Sequence, residues 1–228
     1  MPVAAVVFDA YGTLFDVYSV ARRAEELFPG HGEALSKLWR TRQIDYTRIR
    51  TLSQRYLPFS RVTADALDYV LSSLKLADPD GSSRQELLNC YGRLALFPEN
   101  RDVLSMLHAR KIPLAILSNG DATMLATVLG NADIAHHFSE VLSADQVGRF
   151  KTAPEVYALA EAAFSAPAKD MVFVSSNCWD ACGASWYGFH TFWVNRWREP
   201  LEVLDVNPSA TADNMSPLVD FVDSRVTA

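Results

Sequence analysis

From Pro98 to about residue 194 the chain alternates helical patterns with short apolar runs, and this alternation constrains the fold more than any other feature. Helical patterns near 99–109, 121–130, 153–164 and 178–186 are interleaved with Pro113-Leu114-Ala115-Ile116-Leu117, Glu140-Val141-Leu142, Met171-Val172-Phe173-Val174 and Thr191-Phe192-Trp193-Val194. Such repeated succession is the pattern of a parallel sheet wrapped by helices. The N-terminal run Val3-Ala4-Ala5-Val6-Val7-Phe8 has the same character, short and without polar residues, so it reads as a strand of that sheet buried on both faces. The expected fold class is α/β, with a Rossmann-like parallel sheet core flanked by helices.

Residues 17 to about 92 interrupt this scheme. They show no strand pattern, only helical segments broken at Pro29-Gly30-His31-Gly32, Leu57-Pro58-Phe59 and Pro79-Asp80-Gly81. Because the first strand belongs with the later ones, the block reads as an inserted helical cap domain over the strand ends, 17–92, on a core domain made of 1–16 and 93–228. A chain of 228 residues has room for a core domain plus a smaller insertion. Its net charge of −6 and pI near 5.3 argue against nucleic acid as a general partner. No apolar run reaches membrane-spanning length, and the first apolar run is not preceded by a basic segment, so no membrane partner and a cytoplasmic location are expected. Cys90, Cys178 and Cys182 are odd in number and lack metal-type spacing, consistent with reduced thiols.

The carboxyl ends of parallel strands are where open α/β sheets bind ligands. Four such ends carry polar groups: Asp9 after the first strand, Ser118-Asn119-Gly120-Asp121 after the second, Lys151 after the Gly148-Arg149-Phe150 loop, and Ser175-Ser176-Asn177-Cys178-Trp179-Asp180 after the strand at 171–174. Each has a plain structural use. Asp9 could cap a turn, Ser118 or Asn119 could cap the next helix, Lys151 could be a solvated surface residue and Asp180 could complement a helix N-terminus. Their coincidence on one sheet edge is what favours chemistry.

Phe8-Asp9-Ala10-Tyr11-Gly12-Thr13-Leu14, Leu117-Ser118-Asn119-Gly120, Lys151 and Phe173-Val174-Ser175-Ser176-Asn177 together resemble the haloacid dehalogenase superfamily, and more narrowly its L-2-haloacid dehalogenase branch. The likeness spans nearly the whole chain, including Leu38-Trp39-Arg40 and Trp179-Asp180-Ala181-Cys182-Gly183. It implies hydrolysis of short L-2-haloalkanoates to D-2-hydroxyalkanoates through an aspartyl ester, with inversion at the α-carbon. Asp9 would be the nucleophile, Lys151 its paired cation, Thr13 its orienting donor and Arg40 the halide-side arginine. Ser118, with nearby backbone N–H groups, would meet the substrate carboxylate and Asn119 would bind substrate. Tyr157 would stand near the carboxylate side, while on pattern it reads equally as a core residue of helix 153–164. Asp180 would activate water, with Ser175 and Asn177 positioning Asp180, Lys151 or that water. Tyr11, Ile44, Phe59 and Trp179 would form the apolar wall. The implied small-molecule partners are a 2-haloacid and halide, with a possible homodimer.

The alternative is a metal-dependent small-molecule phosphatase of the same superfamily. Phosphatases of this fold generally carry a second aspartate two positions after the nucleophile; here that position is Tyr11, a phenol of ordinary pKa near ~10 and a poor acid/base at neutral pH. Mg²⁺ demands hard oxygen ligands, yet Ser175, Ser176 and Asn177 stand where the resemblance would place carboxylates. No cofactor and no metal are therefore expected. Departing halide needs no proton, only a cation where its charge develops.

The choice of that cation rests on the resemblance. Lys37, Arg40, Arg42, Arg48, Arg50 and Arg55 fall in one helical segment, by default a solvated face. Leu35, Leu38, Trp39, Tyr46, Ile49 and Tyr56 form the stripe expected to be the cap's own core, with Arg40 and Ile44 on a different face. Arg42 falls within the first stripe and is a rival on pattern alone. Thr41 and Thr152 depart from the glutamine and proline common in relatives.

Overall fold

The computed structural model describes residues 3–78 and 80–226; Pro79, one of the expected helix breaks, lies outside them. Six parallel strands form the sheet, in the order β5 (Glu140–Ser143), β4 (Leu114–Ser118), β1 (Ala5–Phe8), β6 (Met171–Ser175), β7 (His190–Val194) and β8 (Ala210–Ala212). β1, β4 and β6 are buried along their whole length, as strands covered on both faces by helices must be. Each fully buried Val, Leu, Ile or Phe on them contributes roughly 1.5–3 kcal/mol.

The helices α5 (Asn100–Ala109), α6 (Ala122–Asn131), α7 (Pro154–Phe164) and α8 (Cys178–Tyr187) connect successive strands, each within a residue or so of its expected bounds. β1 pairs with β4 on one side and β6 on the other, so the chain reverses its direction of travel across the sheet at β1. At such a switch point the loops leaving neighbouring strands part to opposite faces and open a crevice.

Four cap helices lie between the short antiparallel strands β2 (Phe15–Asp16) and β3 (Ala95–Leu96): α1 (Val20–Leu27), α2 (Gly32–Leu52), α3 (Phe59–Ser73) and α4 (Ser82–Cys90). Leu35 and Trp39 of the expected stripe are core and Leu38, Tyr46 and Tyr56 pack against it, but the inward face of α2 also carries polar residues. Leu35, Ser36, Trp39, Arg40, Gln43 and Thr47 are buried, whereas Ile49 is 56% exposed and Tyr56 falls beyond the helix end. Gln43 and Trp39 find partners on neighbouring elements, Thr47 Oγ1 donates to the Ile44 carbonyl of its own helix at 2.7 Å, and Ser36 Oγ has no partner among the described residues. Gln43 donates from Nε2 to Thr63 Oγ1 at 2.9 Å and accepts from Tyr91 Oη at 2.9 Å, while Trp39 Nε1 donates to the Thr63 carbonyl at 2.8 Å. A short hydrogen-bonded polar seam thus runs beside the apolar stripe.

β2, β3, β8 and the C-terminal helix α9 (Leu218–Val226) have no counterpart among the expected elements. The helix packs on α5, where Arg110 Nε meets Asp223 Oδ1 at 3.0 Å.

Candidate active site

The Asp9 backbone N–H donates to the Val174 carbonyl at 2.9 Å, which extends the pairing of β1 with β6 by one residue and aims the carboxylate out of the strand end. The chain then turns at Gly12, whose φ of +97° lies in the left-handed region open to glycine. A Cβ there would come 3.6 Å from Asn177 Nδ2 and 3.8 Å from Arg40 Nη2, so a substitution would strain the turn beside two polar groups of the site.

The two oxygens of Asp9 are held differently. Oδ2 accepts from Thr13 Oγ1 at 2.8 Å and Asn177 Nδ2 at 2.9 Å, with Ser175 Oγ at 3.5 Å. Oδ1 faces Lys151 Nζ at 3.1 Å. Thr13 is fixed in turn by the Ser176 N–H, which donates to its hydroxyl at 2.8 Å. Lys151 also reaches Asp180 Oδ2 at 2.9 Å, so one ammonium bridges two carboxylates. Its side chain is 1% exposed and those of Asp9 and Asp180 are 8% and 0%. Burial alone would lower the lysine pKa, but the charges of Asp180 and Asp9 outweigh it and leave it above the ordinary value. For Asp180 burial wins: its pKa is raised despite Lys151 and despite the Tyr157 hydroxyl, which donates to Oδ1 at 2.8 Å.

Arg40 enters from α2. Its Nη2 donates to the Tyr11 carbonyl at 3.0 Å and lies 3.4 Å from Asn177 Oδ1, while no protein acceptor among the described residues takes Nη1 or Nε. Arg42, the rival on pattern, is two residues on and so about 200° round the helix. It pairs with Asp45 at 3.2 Å and covers the Tyr69 ring at 4.6 Å. The structure brings Arg40 to the strand ends and leaves Arg42 among cap residues.

A narrow cleft, with room for little more than a water molecule, lies between these groups. Asp9, Arg40, Ser118, Asn119 and Asn177 supply its polar lining, and Tyr11, Ile44, Phe59 and Trp179 its apolar wall. Ser118 Oγ accepts from the Gly120 N–H at 3.1 Å, and Asn119 Oδ1 accepts from the Lys151 N–H at 2.8 Å, tying the β4 loop to the lysine loop.

Tyr157, Ser175 and Asn177 take partners other than those the resemblance first suggests. Tyr157 is fully buried and absent from the cleft lining; its hydroxyl is committed to Asp180, so it stands behind the acid and not beside a substrate carboxylate. Ser175 and Asn177 contact Asp9, and among the described residues neither hydrogen-bonds Asp180 or Lys151, which leaves the water of the expected alternatives. Asp121, in the loop after β4, has a structural part. Its Oδ1 caps α6 through the Met124 N–H at 3.1 Å and its Oδ2 accepts from the Ser60 N–H at 2.8 Å, latching the core to the start of α3 beside Phe59. An Asp just ahead of a helical pattern signals the cap; nothing local signals the partner across the cleft.

Superfamily phosphatases hold a magnesium ion, and the donors here do not fit one. Both Asp180 oxygens are engaged, by an ammonium and a phenol, and the ammonium faces Asp9 Oδ1. Burial, with Asp121 and Tyr91 adding, pushes the Tyr11 phenol well above its ordinary pKa, so position 11 offers neither an anionic oxygen nor a ready proton. Among the described residues no group of three His, Cys, Asp or Glu side chains is placed to hold a metal.

A nucleophile-grade carboxylate at the switch point of a parallel sheet, under a helical cap, defines a class of hydrolase. The chain belongs to the haloacid dehalogenase-like hydrolases, whose family model matches residues 3–188. Within them it falls in the L-2-haloacid dehalogenase branch. It is 41% identical over 219 residues to an (S)-2-haloacid dehalogenase of Pseudomonas sp. (strain YL), covering 96% of this chain and 94% of that protein. The solved L-2-haloacid dehalogenase RSc1362 is similar with a TM-score of 0.95 and 53% identity, over 98% of this chain and 100% of the other. An L-2-haloacid dehalogenase of Xanthobacter autotrophicus, solved with chloropropionic acid covalently bound, gives a TM-score of 0.91 and 34% identity over 98% and 99%.

Proposed function

We propose that this protein hydrolyses short-chain L-2-haloalkanoates to D-2-hydroxyalkanoates through an ester on Asp9. The single observation that carries the reading is the chain of contacts Asp9, Lys151, Asp180 beneath a cleft that has Arg40 on its cap side and Tyr11 where a proton donor would be needed for an alkoxide leaving group. The relative solved with a covalently bound acid supports the ester.

Asp9 Oδ1 has a single partner and so keeps a lone pair for attack on the α-carbon. The C–O bond forms as the carbon–halogen bond breaks, and halide departs with the electron pair toward the free N–H groups of Arg40. Covalent catalysis of this kind splits one hard displacement into two easier steps. Asp9 Oδ2 then becomes the ester carbonyl oxygen, and its donors Thr13 and Asn177 are already in place to hold the oxyanion that forms when water attacks the carbonyl carbon. Asp180, whose raised pKa makes it a better base, takes the proton of that water. Collapse of the tetrahedral intermediate expels the alkoxide, which takes the proton back from Asp180 and leaves as the 2-hydroxyacid, while the second proton of the water passes to solvent as Asp9 returns to its carboxylate.

Ser118 and Asn119 hold the substrate carboxylate, and Tyr11, Ile44, Phe59 and Trp179 exclude water around a small alkyl group. Residues 17–92 act as a cap domain on a core of 1–16 and 93–228, and the protein works in the cytoplasm as a homodimer without cofactor.

Halide release from L- and D-2-chloropropionate with chelator present tests this reading. Release from the L-enantiomer alone is expected. Equal rates for both enantiomers overturn the stereochemistry, and chelator-sensitive turnover of an aryl phosphate with no halide release would favour the phosphatase.

A further inference from the structure

Arg40, Ile44 and Arg48 follow one another at four-residue spacing along α2, so they form one stripe of the helix. Its first member donates into the catalytic loop at Tyr11, and its second lines the cleft. The third lies outside. Arg48 is exposed, and its guanidinium carbon sits 5.4 Å from the centre of the Trp179 ring, the half-buried aromatic of the cleft wall.

The other cations of α2 are committed elsewhere. Lys37 pairs with Glu33 at 2.6 Å, Arg42 with Asp45 at 3.2 Å and Arg50 with Asp65 at 3.3 Å. Among the described residues Arg48 has no carboxylate within ion-pair distance. A cation stacked on an aromatic face is held in place without being neutralised. Its field remains available to an approaching anion.

The reaction makes such a field useful. A 2-haloacid is an anion, whereas the protein carries a net charge of −6, so its mean field opposes the approach. The catalytic cations cannot correct this at a distance: Lys151 is 2% and Arg40 8% exposed, and Lys151 is balanced by two carboxylates.

We propose that Arg48, carried on Trp179, is a substrate-capture residue at the mouth of the cleft, drawing the 2-haloacid carboxylate out of solvent toward Ser118 and Asn119. The inference rests on the dehalogenase reading of the same cleft. It assigns Arg48 to binding and Arg40 to the chemical step.

The test compares wild type, Arg48→Gln and Arg48→Lys, with Arg42→Gln as a charge-matched control, in turnover of L-2-chloropropionate. Salt is varied from about 0.01 M to about 1 M, over which the screening length falls from about 30 Å to about 3 Å. At low salt Arg48→Gln is expected to lower kcat/KM about tenfold, the low end of electrostatic steering. The loss should fall on KM and vanish at high salt. Arg48→Lys should keep most of the wild-type salt response, and Arg42→Gln all of it. A deficit that is equal at both salt extremes, that falls on kcat, or that Arg42→Gln reproduces overturns the proposal. If wild type releases no halide, the dehalogenase reading fails by itself. Binding of propionate, followed by tryptophan fluorescence, then decides: equal affinities of wild type and Arg48→Gln at low salt overturn the capture role, and a salt-dependent weakening supports it.

Discussion

Replacing Asp180 with Asn separates the two halves of the proposed reaction, because the residue sits one ammonium away from the nucleophile. The amide is nearly isosteric, so its oxygen can still accept the Tyr157 hydroxyl now at 2.8 Å from Oδ1. The carboxylate facing Lys151 at 2.9 Å is lost, and Lys151 is left with Asp9 alone at 3.1 Å. Formation of the ester, which needs Asp9 ionised and aligned, should therefore survive within a few-fold. Hydrolysis of the ester loses its base, and general bases contribute about 10²–10⁴-fold. The ester should accumulate. Mixing D180N with excess L-2-chloropropionate should give a rapid burst of halide close to one equivalent per site, then turnover slower by about that factor. The peptide carrying Asp9 should gain the mass of the acid less its halogen. Steady turnover at the wild-type rate would remove Asp180 from the mechanism, and the absence of a burst in folded D180N would place it before the ester. The same substitution has a signature in stability. Burial holds the Asp180 carboxyl above its ordinary value near 3.8. Between that value and the raised one, the unfolded chain has released a proton that the native protein keeps, so wild-type stability falls as pH rises through this window. D180N lacks the group, and its thermal midpoint relative to wild type should climb over the same window. A pH-independent difference would show that burial imposes no such penalty.

Three further outcomes follow from the geometry. Arg40→Ala should stay folded and lose about 10²–10³-fold in halide release, as when a transition-state donor is removed, while Arg42→Ala stays near wild type; the reverse order would give the halide to the other arginine. In a single turnover in ¹⁸O-water with enzyme in excess, the new hydroxyl should be unlabelled and the label should reside on Asp9; label in the product hydroxyl would reduce Asp9 to a base. Lys151→Met leaves two buried carboxylates without their cation and should cost about 3–5 kcal/mol in urea unfolding at neutral pH. Because the folded pKa of Lys151 is raised, the stability it contributes is complete below the ordinary lysine value of 10.5 and lost only as pH rises through the folded one. The gap between wild type and Lys151→Met should therefore be flat at neutral pH and narrow only in strong alkali.

How much of this could be read from the residues depended on how each element is buried. Strands β1, β4 and β6 are covered on both faces, so they appear as unbroken apolar runs and their polar ends stand out. β8, with no buried residue in Ala-Thr-Ala, and the two-residue strands β2 and β3 exist because partners hold them, and they carry no periodicity to detect. The cap was harder still. The inward face of α2 carries Ser36, Arg40, Gln43 and Thr47, residues that count as surface by type; the partners of Gln43 lie on α3 and beside α4 and those of Arg40 in the core, far off in the chain, while Ile49 and Leu52 near the helix end are exposed. Site residues on strand ends were legible for the same reason as the strands. The hydrogen bonds of Tyr157 and Asn177 were not, since which oxygen a buried donor chooses depends on elements far apart in the chain.

In the proposed reaction, the placement of charge lets one sheet edge suffice without a metal. Before reaction the site holds Asp9 and Asp180 against Lys151, with Arg40 across the cleft. Alkylation of Asp9 neutralises the carboxylate on the Lys151 side and delivers a halide on the Arg40 side, so one negative charge crosses the cleft and no proton moves. Two fixed cations on opposite walls are what such a transfer requires, since preorganised charge costs no reorganisation as the transition state forms. Alkoxide departure would instead need a proton at position 11, and the phenol there is held further from releasing one by its burial. Its backbone carbonyl serves the halide chemistry differently, by accepting from Arg40 at 3.0 Å and Asn177 at 3.3 Å and so tying the halide-side cation to the donor that holds Asp9. The residue that stands in place of the phosphatases' acid thus also holds the arginine proposed to meet the halide, through its main chain and not its side chain.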